Sequence, residues 1–161
     1  MRLVLVVVLS GLLVACGGDD GPSAEERAAR DATAELLTQV QNGQYADAWA
    51  SLHPDYQAVI PREQLLSCGE EFPASFDTYE IHDAEQREYA AAEAGTVDAW
   101  SIGLSFELTD DFRNPDGTVG ASNRTMQFVQ VGDDWTWFPA DGELRTFRDG
   151  NCGLPWPGGS R

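Results

Sequence analysis

The chain is 161 residues long and carries 27 acidic residues against 10 basic ones, a formal charge of −17, with Arg as its only basic residue type besides His. That length fits one domain plus a leader, and a hydrophobic share of 42% can fill a core. So acidic a surface repels phosphate backbones and anionic headgroups alike, which sets nucleic acid aside as a partner.

Met1 and Arg2 give a positive start, and residues 3–13 are apolar except for Ser10 and Gly11. The run is well short of the roughly 20 residues a spanning helix needs. A short apolar run with a small-residue exit is the layout of a secretory signal peptide, here residues 1–15. The exit, Leu13-Val14-Ala15-Cys16, resembles the bacterial lipobox. That resemblance implies cleavage before Cys16 and a thioether link from Cys16 to diacylglycerol. The chain is then expected at the cell envelope, anchored to the outer face of the bacterial membrane by lipid. Two acyl chains hold a protein stably where one holds it only marginally. Residues 16–22 form the lipidated Cys and a polar tether whose Gly17-to-Pro22 stretch reaches about 20 Å when extended.

Ser23 and Glu26 have the spacing of a capping box, so a helix is predicted to start here. Ala28, Ala32, Leu36 and Val40 recur every four residues beside Ala29 and Leu37, one apolar stripe that Asn42-Gly43 ends. Tyr45, Ala48, Trp49 and Leu52 mark a second helix, stopped by His53-Pro54. Pro61 opens a third, carrying Leu65 and Leu66, with Gly69 as its expected stop.

Beyond Phe72 the period changes. Residues 76–89 make one strand candidate. Trp100, Ile102, Leu104, Phe106 and Leu108 alternate with Ala99, Ser101, Gly103, Ser105 and Glu107, predicting a strand with one buried face. Residues 125–131 and 135–138 are two further strands around a Gly132-Asp133-Asp134 turn. Asp110 to Gly117 is acidic, but aligned on Gly117 it puts Phe112 and Asn123 at the ends of a calcium loop, so a hairpin turn is expected there. Residues 23–152 are expected to form a single domain, with 153–161 a disordered Gly/Pro-rich tail. The predicted class is α+β: three N-terminal helices packed on a curved antiparallel sheet of about four strands.

The run LLTQVQNGQYADAWASLHPDYQ, the helix with Pro61, Leu65, Leu66 and Cys68, and the closing GDDWTW strand look like the nuclear transport factor 2-like group. The resemblance covers residues 24–147 and is similar to the version found in exported bacterial lipoproteins. It implies a cystatin-like cone, whose conical pocket holds acid and base residues in the steroid isomerases, dehydratases and polyketide cyclases of the group. The fold also hosts non-enzymes.

With Cys16 assigned to lipid, Cys68 and Cys152 remain as an even pair in an exported chain, which reads as a disulfide. No zinc spacing and no Cys-x-x-Cys motif competes with that, and neither a metal nor a cofactor is expected. Candidate pocket residues are Tyr45, Trp49, Trp100, Ile102, Leu104, Phe106, Trp135 and Trp137, which can equally fill a core. Candidate acid/base residues are His53, Asp55 and Tyr56, with His82 expected to face away from Tyr79 and Ile81. The inward residues of the best strand are all apolar. The expectation is therefore a non-catalytic envelope lipoprotein that binds a small apolar ligand or an envelope protein. The alternative is an isomerase- or dehydratase-type enzyme.

Overall fold

The computed structural model describes residues 21–91, 95–109 and 120–158. The expected signal peptide, Cys16, most of the expected tether, the turn expected at 110–117 and residues 159–161 lie outside the described residues.

Helix α1 spans Ala24–Gln41. Ser23 caps it as predicted, accepting from the Glu26 backbone N–H at 3.0 Å. The return half of the capping box is not made, because Glu26 Oε1 binds Arg30 one turn on, at 2.9 Å. Gly43, with φ 70°, turns the chain out of the helix. Helix α2, Tyr45–Ala50, follows as expected.

The chain then does something the Pro54 signal did not reveal. Leu52 forms a parallel bridge with Trp137: the Trp137 N–H donates to Ser51 O at 3.1 Å and the His53 N–H to Trp137 O at 2.8 Å. A one-turn helix α3, Pro54–Gln57, begins immediately after. His53-Pro54 therefore starts a helix as well as ending one, since proline suits a first helical turn.

Helix α4, Arg62–Glu71, runs straight through Gly69, which was expected to stop it. The reason for glycine there is packing: a Cβ would sit 2.4 Å from Cγ of the Tyr45 ring.

Strands β1 (Phe76–Ala91), β2 (Gly95–Leu108), β3 (Ala121–Val131) and β4 (Asp134–Phe138) make an open antiparallel sheet in the order β1-β2-β3-β4. The β3–β4 link is a two-residue loop, Gly132-Asp133, with Gly132 at φ 65°, the geometry a tight hairpin requires. With helices first and a four-stranded meander after, the architecture is the predicted α+β class. Helix α1 lies across all four strands.

Register decides what each sheet face carries. Trp100 pairs with Phe128 and Phe128 with Trp137, while Ile102 pairs with Met126, so these share the face that holds Leu104 and Phe106. On the other face Ser101 pairs with Gln127 and Gln127 with Phe138. Ala99, Ser101 and Gly103 are buried as well, so the centre of β2 is covered on both faces instead of one. Phe138 stacks on Tyr56 at 5.3 Å between centroids and meets the edge of Tyr89 at 5.8 Å, a second aromatic cluster on that second face. The His82 imidazole fills the space a Cβ at Gly103 would need.

The C-terminal region holds two further differences. Helix α5, Asp141–Arg148, follows β4 and buries Leu144 and Phe147. Residues 153–158, expected to be disordered, are packed: Trp156 is 1% exposed, Ala74 and Gly158 form a bridge, and the Ser75 N–H donates to Pro157 O at 3.0 Å. Burial of one indole outweighs the local Gly/Pro bias toward fraying.

Candidate functional site

The aromatic residues expected to line a cone pocket are distributed through the core. Ile102, Leu104, Phe106 and Trp137 are all at or below 1% exposed. Trp137 donates its indole N–H to Ala48 O at 2.7 Å and packs edge-on against Trp156, with ring centroids 5.9 Å apart. Tyr45 is buried over Gly69. Trp49 is half-buried and donates to Ile60 O at 2.9 Å, tying α2 to the turn after α3. Trp100 is half-buried against the same core. Of the eight candidates, Trp135 alone lines the large groove of the domain described below.

His53, Asp55 and Tyr56 are brought together, but by a local turn. The His53 ring accepts at Nδ1 from the Asp55 backbone N–H at 3.2 Å, which makes it the N-cap of α3. The Asp55 carboxylate lies 3.9 Å from the same nitrogen. Tyr56 is 2% exposed, its ring held between His53 and Phe138. None of the three lines the large groove. His82 is exposed and lies at an irregularity in the β1–β2 register between Ile81 and Asp83, its ring beside Gly103 and so on the face opposite the Ile81–Leu104 pair.

Cys68 and Cys152 are joined: their sulfurs lie 2.09 Å apart, with the Cα atoms at 5.4 Å. The bond ties α4 to the segment just before Trp156. Gln64 reinforces the join, its side-chain amide donating to Phe147 O at 2.8 Å.

An open groove of about 1000 Å³ lies between α1, the α2–α3 joint and the β3–β4 hairpin. Its floor is apolar, formed by Leu36, Leu52 and Phe128. Its walls are acidic: Asp31 and Glu35 from α1, Asp47 from α2, Asp133 and Asp134 from the hairpin, all exposed. No Arg or His lines it among the described residues. The ion pairs Arg30–Glu26 and Arg87–Glu85 use none of these carboxylates. Val131, at 38% the large hydrophobic residue most exposed among the described residues, lines the groove, as does partly buried Trp135. Gln39 donates to Glu35 at 3.3 Å, while its own carbonyl oxygen is buried with no donor facing it.

The sequence reading missed this groove. Asp133 and Asp134 read as turn residues, and Asp31 and Glu35 carry no signal of their own in the sequence. A signal was present in α1, where the Ala28/Ala32 part of the stripe is shallow and flanked by acids.

A smaller cleft holds His82, Asn123, Arg124, Thr125 and Glu143. Burial raises the Glu143 carboxyl above its ordinary pKa, opposed by the Ala140 N–H and by the charge of Arg124. No cluster of His, Cys, Asp and Glu able to hold a metal ion occurs among the described residues. No described helix is long and apolar enough to cross a membrane. Comparison with protein-family models, with curated proteins and with solved structures gave no match.

Proposed function

We propose that the chain is a non-catalytic envelope lipoprotein, exported, lipidated at Cys16 and held at the outer face of the bacterial membrane, whose nuclear transport factor 2-like domain engages another envelope protein. The leader, the Leu13-to-Cys16 exit and the disulfide of an oxidising compartment support the address. The observation that carries the choice of a protein partner is the filled interior. The aromatic and aliphatic side chains that would have walled a small-ligand cavity, Trp137 and Phe106 among them, pack against each other. Recognition then falls to the outside of the domain, and a small apolar ligand loses its place.

Two measurements on the native protein test the address. Mass spectrometry is expected to find a diacylglyceryl-modified Cys16 as the first residue, and detergent phase separation to carry the protein into the detergent-rich phase. A chain that keeps residues 1–15, or that stays in the aqueous phase, overturns the proposal.

A further inference from the structure

We infer that the groove between α1, the α2–α3 joint and the β3–β4 hairpin is a docking site for an Arg/Lys-rich amphipathic segment of a partner protein. The inference rests on the reading of the domain as a protein-binding module and supplies the chemistry of the partner. Two independent features converge on one surface.

The first is charge. Asp31, Glu35, Asp47, Asp133 and Asp134 ring the groove, and no cation among the described residues answers them. A cleft lined by one sign over low-dielectric walls concentrates its field and draws in the opposite sign. A second copy of this chain, with a formal charge of −17, is repelled from it, and so is an anionic lipid surface.

The second is apolar. Val131, paired with Asp134 at the end where the hairpin acids lie, is exposed, and partly buried Trp135 lines the same groove. An occupant that is only cationic, such as a polyamine, leaves these apolar side chains uncovered. A segment with apolar side chains on one face and cations on the other covers the floor and pairs with both walls.

The test uses the full chain in non-ionic detergent and a short fluorescein-labelled peptide with Arg and Leu in amphipathic order, read by anisotropy at low salt. Binding is expected to weaken about tenfold in E35Q/D133N/D134N, since each rim ion pair contributes modestly. It is expected to change less than about twofold in D77N/E80Q/E88Q, which removes three exposed acids from β1. V131S, with every charge intact, should weaken it about threefold, and the same peptide with Glu for each Arg should not bind. Amide shift changes on titration should centre on residues 31–39 and 131–135. Equal loss in both triple variants would reduce the effect to general attraction to an acidic protein and overturn the inference. So would undetectable binding, shifts centred elsewhere, or spermine competing as well as the peptide with V131S silent. Failure here with membrane partition intact removes the docking site alone; retained docking with lost partition removes the anchoring alone.

Discussion

Two aromatic-lined regions of the molecule have opposite fates. Inside the domain, Trp137 meets Trp156 and Phe106 meets Phe76, all four of them buried. Outside, Phe128 and Trp135 border a groove that stays open. The two regions share a sheet face through the Phe128–Trp137 pair, so neither composition nor strand position separates them. Backfilling does. The C-terminal segment returns under its disulfide and places Trp156 against Trp137, whereas Trp135 stays partly exposed and lines the groove. Whether an aromatic wall becomes core or site depends on what later chain covers it.

The largest effect expected from this contrast comes from truncating one tryptophan in each region. Trp137→Ala should cost about 3–5 kcal/mol, a cavity cost, and it also removes the donor to Ala48 O. Trp135→Ala should cost less, about 1–2 kcal/mol, since that side chain is only partly buried. Urea denaturation of the two variants measures both. Similar losses would mean that Trp135 belongs to the core as fully as Trp137 does.

Next in size is the disulfide. It closes a loop with a sequence separation of 84, and C68S/C152S should lower stability by about 2–4 kcal/mol. Because the bond holds the backfilling segment and not the groove, thermal midpoint should fall while affinity for the basic peptide stays within about twofold below the transition. Gly69→Ala comes third, at about 1–3 kcal/mol. The new methyl would meet the buried Tyr45 ring at its Cγ, and a ring packed on a helix has little room to retreat. A thermal scan showing no loss would mean that α2 and α4 separate freely.

Legibility in the sequence followed the range of the interaction. Helices α1 and α2 and the alternation in β2 were visible, because their signals repeat within a few residues. Helix α5 was missed although it had a signal: Pro139 ahead of it, Glu143 at the third position, and Leu144 and Phe147 three apart. Gly69 was misread because glycine marks a helix stop locally, and only the Tyr45 ring, distant in sequence, shows why it is there. Trp156 was misread for the same reason, its Gly/Pro neighbourhood suggesting disorder. The groove was hidden more deeply. Its acids come from α1, α2 and the β3–β4 hairpin, each ordinary for its own element, and only the fold assembles them.

The smallest effect expected concerns an acid set in protein rather than at the groove rim. Glu143 accepts from the Ala140 N–H at 2.8 Å, half a capping box, since Ala140 has no side-chain oxygen to return the bond. Burial raises its pKa, and that outweighs the lowering by the Ala140 N–H and by Arg124. The folded protein therefore binds this proton more tightly than the unfolded chain does. Between the ordinary glutamate value and the raised one, the native state holds more protons, so the contribution of this group to stability falls as pH rises. Below that window the carboxyl is neutral in both states and the penalty is absent; above it the penalty is complete and constant. Glu143→Gln keeps an oxygen for the Ala140 N–H and removes the titration. Its stability relative to the parent should thus grow as pH rises through the window and then level off. Denaturation of both proteins across mildly acidic to neutral pH isolates the term, because the other acids are common to both and cancel in the difference. A difference that shrinks as pH rises would mean that Arg124 and the Ala140 N–H, not burial, dominate at this carboxyl.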